Sequence, residues 1–276
     1  MLAAINAWTF PAGLSAAEQL AAAAAAGFDG IELTLDHDGP LRFDTPLETC
    51  AELARRAAAL NLEVVSLASG EFWQTNYAEP DEATRQAAVD LTLRMLDRAA
   101  AFSAGAILVV PAVVGTPTER QPRVSYTDAL RFSYDALRGL RHAAEERGVA
   151  IALENVENRF LVSPLEAAEL VDRVNSPCVG WYFDTANVLP FGYPDDWILT
   201  LGGRIRRVHV KDQDPARPGA CLLGEGSVDW PRVIAALRQV GYDGPLTYEG
   251  PGEAAEIRRR LGNIMDGRPL PGERES

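Results

Sequence analysis

Histidine, cysteine and positive charge are all scarce in this chain. Of 276 residues, three are histidine and three are cysteine, and 26 Lys and Arg stand against 39 Asp and Glu, a formal net charge of −13. That balance argues against a nucleic-acid partner, whose phosphates are held by clustered Lys and Arg, and against an anionic membrane surface. Its plainest consequence is solubility. Cys50, Cys178 and Cys221 are odd in number and scattered, with no CxxC pair, so neither a disulfide framework nor a thiolate zinc site is indicated and a reducing cytoplasm fits. No stretch approaches the ~20 apolar residues that span a bilayer, and the opening Met-Leu-Ala-Ala-Ile-Asn-Ala-Trp lacks the basic region of a signal peptide. There is no GxGxxG after the first strand and no GxxxxGK[ST], which counts against the nucleotide-binding versions of an α/β fold.

What is present is regular alternation. Strands are expected at Ala3–Trp8, Phe28–Leu33, Glu63–Leu67, Ala106–Pro111, Ala150–Glu154, Val179–Asp184, Ile205–Val210 and Pro245–Glu249. Helices are expected at Ala16–Ala26, Pro46–Leu60, Glu82–Ser103, Tyr126–Arg147, Leu165–Val174, Asp195–Leu201, Trp230–Val240 and Glu253–Met265. The alanine run Ala21–Ala26 reads as helix, because Ser15 and Glu18 form a capping box before it and Gly27 ends it. No linker divides the chain, and its length is close to the ~250 residues of a (β/α)8 barrel. The fold expected over residues 1–276 is therefore one α/β domain, a closed (β/α)8 TIM barrel.

Side chains alternate faces along a strand. In the fifth strand Val149, Ile151 and Leu153 share one face, while Ala150, Ala152 and Glu154 share the other. The sixth sets Val179, Trp181 and Phe183 against Gly180, Tyr182 and Asp184; the eighth sets Leu246 and Tyr248 against Thr247 and Glu249. In the second, Ile31 and Leu33 oppose Gly30 and Glu32. One face suits packing under helices, and the other carries an ionisable group near the strand's C-terminal end, where barrel active sites are built. Glu154, Asp184, His209 and Glu249 end strands five to eight, and neighbouring strands lie about 4.8 Å apart, so the four can converge. Three converging carboxylates repel one another unless a cation is present. The set implies one divalent ion, Mn²⁺ before the others, with Mg²⁺, Co²⁺ and Zn²⁺ also compatible with oxygen-rich ligation and one imidazole.

Six stretches carry a family resemblance: Gly27-Phe-Asp-Gly-Ile-Glu-Leu33, Val149-Ala-Ile-Ala-Leu-Glu-Asn155, Gly180-Trp-Tyr-Phe-Asp-Thr-Ala-Asn187, Arg207-Val-His-Val-Lys-Asp212, Leu223-Gly-Glu-Gly-Ser-Val-Asp-Trp-Pro231 and Tyr242-Asp-Gly-Pro-Leu-Thr-Tyr-Glu-Gly250. In this order the chain resembles the xylose isomerase-like barrels, in particular the sugar phosphate isomerase/epimerase group with its ketose 3-epimerases and inositol-catabolism enzymes. The resemblance places that family's metal ligands on Glu154, Asp184, His209 and Glu249, and assigns proton transfer to Glu154 and Glu249, one on each substrate face. It implies a Lewis-acid metal, a hydroxy-carbonyl substrate and an enediolate formed when the α-proton leaves. Where ketose epimerases generally have a substrate-contacting histidine, this chain has Asn187, which weakens any transfer of ketose specificity. The endonuclease branch, with three zinc ions held by many histidines, does not match a chain whose histidines are His37, His142 and His209.

Trp8, Glu32, Glu157, Asn187 and Lys211 are the expected substrate contacts. Four of them have a plainer alternative: a core tryptophan for Trp8, a pairing with a barrel arginine such as Arg207 for Glu32, a loop position for Glu157, a rim ion pair with Asp212 or Glu249 for Lys211. Asn155 is a further loop residue that could orient substrate, and Arg217 is expected to be solvated. The amides of Gly224-Glu-Gly-Ser227 could form an anion nest. The same segment also reads as a turn into an N-cap at Asp229, so an unphosphorylated polyol or keto-sugar is preferred. The function expected is a metal-dependent sugar isomerase or epimerase on a small-molecule partner. A lyase on the same site, dehydrating a keto-inositol or dehydroshikimate-like ring, is the alternative, and a non-catalytic sugar-binding barrel is a third reading that does not explain three carboxylates at one point. Homo-oligomerisation is left open.

Overall fold

The alternation of strand and helix closes on itself. In the computed structural model, which describes residues 1–217 and 219–270, eight parallel strands form a closed barrel in the order β1, β2, β3, β4, β5, β6, β7, β10 and back to β1. Their ranges are β1 Leu2–Asn6, β2 Gly30–Thr34, β3 Glu63–Ala68, β4 Ala106–Val109, β5 Ala150–Glu154, β6 Val179–Asp184, β7 Ile205–Val210 and β10 Pro245–Tyr248. A two-stranded antiparallel ribbon, β8 (Asp212–Gln213) with β9 (Ala220–Cys221), lies between β7 and the seventh helix. The sequence reading did not anticipate it.

Around the barrel run α1 Ala16–Ala25, α2 Leu47–Ala59, α3 Glu82–Phe102, α4 Tyr126–Arg147, α5 Pro164–Val174, α6 Pro194–Leu201, α7 Trp230–Gln239 and α8 Ala254–Asp266. Their boundaries follow local chemistry. Ser15 and Glu18 do form a capping box on α1, and Asp229 caps α7 by accepting from the Arg232 amide, with Pro231 in the first turn where its missing N–H costs nothing. The strand phases hold as well: Val149, Ile151, Leu153, Trp181, Phe183, Leu246 and Tyr248 are buried in the apolar layer between strands and helices. Among the described residues no helix is long and apolar enough to cross a membrane.

Inside the barrel, Arg207 occupies the layer two residues below His209. It donates to the carbonyls of Val65 (3.0 Å) and Arg206 (2.7 Å), not to Glu32. Gly105 leaves the room this needs, since a Cβ there would run into the guanidinium.

Candidate metal and substrate site

Strand register brings the four ionisable groups together. Asp184 on β6 is level with His209 on β7, His209 is level with Thr247 on β10, and Glu249 follows two residues beyond Thr247, one past the strand's end. Glu154 ends β5 beside Tyr182. One ligand atom from each of Glu154, Asp184, His209 and Glu249 can be chosen so that all lie within 4.8 Å of one another. His209 Nδ1 stands 2.9 Å from Glu154 Oε1 and 3.7 Å from Glu249 Oε2. Asp184 and His209 are fully buried and Glu154 nearly so.

Asp184 is the most constrained of the four. Its Oδ1 accepts from the amides of Ala186 and Asn187, both at 2.8 Å, so the chain turning off β6 grips one oxygen. Its Oδ2 is buried with no hydrogen-bond partner, an arrangement that normally carries a cost. Asn155, just past the end of β5, clamps the same residue: its Oδ1 accepts from the Asp184 backbone and Trp181 ring nitrogens and its Nδ2 donates to the Asp184 carbonyl. Asn155 is buried, does not line the cavity at the C-terminal mouth, and in this arrangement acts as a clamp on Asp184.

The electrostatics show the same tension. Burial, reinforced by the charges of Glu249 and Asp184, pushes Glu154 up to about 7 despite its bond to His209. Burial likewise raises Asp184, with Glu249 adding to it and Lys211 opposing. Burial would lower Lys211, but the carboxylates of Asp184, Glu249 and Glu154 outweigh it and hold the ammonium charged. An orphaned carboxylate oxygen, two more carboxylates and an imidazole nitrogen at one point are a donor set that fits a divalent cation.

Above this cluster a cavity of about 300 Å³ opens at the C-terminal mouth, lined among others by Trp8, Trp73, Glu154, Glu157, Lys211 and Glu249. Trp8 lies in a 3-10 turn, Ala7–Thr9, because β1 stops at Asn6 and not at Trp8 as expected, yet its ring still forms part of the wall. Glu157 and Asn187 also line the cavity. Asn187 is tethered, its Nδ2 donating to the Asn155 carbonyl at 3.1 Å. Lys211 Nζ sits 3.0 Å from Glu249 Oε2, the second of the two rim pairings weighed for it.

One expected substrate contact is corrected, and the preferred reading of residues 224–227 as a turn into the Asp229 cap holds. Glu32 does not reach the cavity: it is fully buried beneath His209, with Oε1 2.7 Å from His209 Nε2 and 2.6 Å from Asn6 Nδ2. The anion nest at residues 224–227 is already taken by the protein's own Asp212, whose carboxylate accepts from the amides of Gly224 and Val228 and from Trp230 Nε1. Gly226 is needed there because a Cβ would overlap Asp212 Oδ1.

The sequence reading missed Ser69, Trp73 and Gln213 in the wall. It also missed Asn6 and Ser66 around Glu32. Trp73 sits in a 3-10 turn, Gly70–Trp73, that follows β3, a position equivalent to that of Trp8 after β1, and this was the available signal. Gln213 belongs to the unforeseen ribbon and gave none.

Comparison with known proteins identifies the family. The chain is 28% identical over 250 residues to the L-ribulose-5-phosphate 3-epimerase of Salmonella typhi, covering 89% of this chain and 86% of that protein. It is 31% identical over 236 residues to the 2-epi-5-epi-valiolone 7-phosphate 2-epimerase of an Actinoplanes species, covering 81% and 78%. Among solved structures, a D-tagatose 3-epimerase-like protein superposes with a TM-score of 0.81 at 20% identity, covering 96% of this chain and 97% of that one. The model of the xylose isomerase-like TIM barrel family matches residues 20–266, and the chain belongs to that family.

Proposed function

We propose that the protein is a divalent-metal-dependent epimerase or isomerase acting on a small unphosphorylated keto-sugar or polyol-derived ketone. The observation that carries the reading is the juxtaposition of two cavity-facing glutamates with a buried, unpartnered Asp184 oxygen and the His209 imidazole. Glu154, Asp184, His209 and Glu249 would hold the ion; when bound, it supplies Lewis-acid polarisation of a substrate carbonyl. Mn²⁺ remains the first choice for this donor set.

Glu154 and Glu249 come from β5 and the end of β10, which are separated around the barrel by β6 and β7. They can therefore approach a substrate from different sides. One carboxylate removes the proton on the carbon next to the carbonyl, and the electron pair passes to the carbonyl oxygen as an enediolate. The other returns a proton to the opposite face, which inverts the centre. If a single glutamate moves the proton between adjacent carbons, the result is aldose–ketose isomerisation. Lys211, at the cavity edge, is placed to hold a substrate oxygen, and Trp8 and Trp73 give apolar faces against which a sugar ring or chain can lie. Glu157 and Asn187 offer further hydrogen-bonding groups.

The preference for a neutral substrate is supported by charge. Among the described residues lining the cavity, Lys211 is the one cation, and Glu249 and Asp184 already neighbour it. The test is incubation of a panel of hexuloses, pentuloses and keto-inositols in D₂O. The expected result is deuterium at the carbon next to the carbonyl, dependent on added metal, in a product of otherwise unchanged mass. Clean loss of water would move the protein to the lyase reading, and absence of exchange with every substrate would overturn the enediolate.

A further inference from the structure

Five barrel strands meet at one buried carboxylate that takes no part in the chemistry proposed above. Glu32 on β2 is fully buried, yet both of its oxygens are completely hydrogen-bonded. Oε1 accepts from Asn6 Nδ2 on β1 at 2.6 Å and from His209 Nε2 on β7 at 2.7 Å. Oε2 accepts from Ser66 Oγ on β3 at 2.7 Å and from Tyr182 Oη on β6 at 2.8 Å. The Tyr182 ring also packs at 4.3 Å, centroid to centroid, on the His209 imidazole. A buried carboxylate with four donors is held in position and in rotation, and it is acceptor-only, so the nitrogen of His209 that faces it carries hydrogen. The other nitrogen, Nδ1, is then the one aimed at Glu154 and Glu249.

We propose that Glu32 is a positioning residue: with Asn6, Ser66 and Tyr182 it forms a fixed post that locks the ring orientation and tautomer of His209, presenting Nδ1 to the metal position. This rests on the metal reading above. The physical basis is general. A carboxylate behind a ligating imidazole fixes its orientation and raises its basicity, and its loss typically lowers metal affinity by about 10–100-fold. A packing role alone predicts something different, namely loss of stability with unchanged affinity in whatever protein remains folded.

The experiment compares wild type, Glu32→Gln, Ser66→Ala, Tyr182→Phe and His209→Ala. Each is stripped with chelator, checked for folding by circular dichroism and thermal melting, and titrated calorimetrically with Mn²⁺. Glu32→Gln is expected to keep the fold, since an amide oxygen can still accept from His209, and to weaken Mn²⁺ binding by about 10–100-fold. Ser66→Ala and Tyr182→Phe each remove one tether and leave the Glu32–His209 bond, so they are expected to weaken binding by less. Long-range ¹H–¹⁵N correlation of the Zn²⁺-loaded wild type is expected to show the hydrogen on His209 Nε2. Unchanged Mn²⁺ affinity in folded Glu32→Gln, or hydrogen on Nδ1, overturns the proposal. If Glu32→Gln fails to fold, Ser66→Ala and Tyr182→Phe decide it: normal affinity in both overturns it. If wild type itself binds no divalent ion, or binds it as well as His209→Ala does, the metal reading has failed instead.

Discussion

Lys211 Nζ stops 3.9 Å from the Oδ2 of Asp184, and that oxygen has no hydrogen-bond partner although it is fully buried. The ammonium lies closer to Glu249, at 3.0 Å, and offsets the charge of Asp184 only from a distance, without donating a hydrogen bond to that oxygen. The floor is where a cation would gain most from Asp184. Protein purified without chelator is accordingly expected to carry one divalent ion per chain, seen by elemental analysis. Asp184→Asn is expected to lose metal affinity by at least about tenfold, and His209→Ala to lose it similarly. Tight binding that survives both substitutions would refute the site.

The two glutamates should separate from Asp184 in kinetics. If Glu154 and Glu249 exchange protons with substrate, Glu154→Gln and Glu249→Gln lose turnover even at saturating metal, each by about 10²–10⁴-fold. Asp184→Asn, by contrast, should recover a larger share of its activity as metal is raised. Steady-state rates measured across a metal titration distinguish the two patterns. Near-normal turnover of both glutamine variants at saturating metal would remove the assigned roles.

The metal-free protein should have an inverted pH profile of stability. Glu154 is raised from 4.5 to about 7 by burial and by its acidic neighbours, so the native state holds a proton there that the unfolded chain has released. His209 is raised well above 6.5, because Glu32 and Glu154 outweigh its burial, and it too keeps a proton on folding. Both groups make the native state bind more protons than the unfolded state, and stability then falls as pH rises. For Glu154 the loss runs from about 4.5 to about 7, and for His209 it continues above 6.5. Glu32 is lowered, since His209, Ser66 and Tyr182 overcome its burial, and its contribution is lost on the acid side. Calorimetric melting of chelator-treated protein is expected to show a higher Tm near pH 5 than near pH 8. Added Mn²⁺ should raise Tm most near pH 8, because the ion needs deprotonated ligands. A metal-free Tm that rises from pH 5 to pH 8 would contradict this.

Much of this is legible in the sequence. The eight strands, the inward phase and the convergence of Glu154, Asp184, His209 and Glu249 follow from a period of two repeated on successive strands, which is a local property. What could not be read was depth. Glu32 and Glu154 look alike on paper, each an inward carboxylate near a strand end, but barrel stagger sets Glu32 level with Asn6 and Ser66, below the mouth. The turn at residues 224–227 was legible but its partner was not: Asp212 lies 12 residues earlier than Gly224 and meets it where the ribbon β8–β9 folds back. Trp8 and Trp73 reach the cavity from turns, where strand alternation gives no direction.

The cavity's charge makes a final prediction about substrate. Glu154, Glu157 and Glu249 line it, Asp184 lies beneath, and Lys211 is the one cation among its described lining residues. Even with a divalent ion added, four carboxylates against one ammonium and two positive charges leave the mouth without a surplus for a phosphate dianion. In the segment weighed as an anion nest, the Gly224 amide already donates to Asp212, as does the neighbouring Val228 amide. The two relatives named above carry phosphate in their own substrates' names, so the choice has to be made on this chain's residues. A neutral ketose is expected to have a kcat/KM at least about tenfold above that of its own phosphate ester, a difference of about 1.4 kcal/mol in transition-state binding. Like-charge repulsion is screened by salt, so the gap should narrow as ionic strength is raised, provided the two charges are not buried together. Paired kinetics on a ketose and its ester at low and moderate salt check both statements. A preference for the ester, or a gap that widens with salt, would mean that the substrate's charged end lies outside this cavity and that the neutral-substrate reading is wrong.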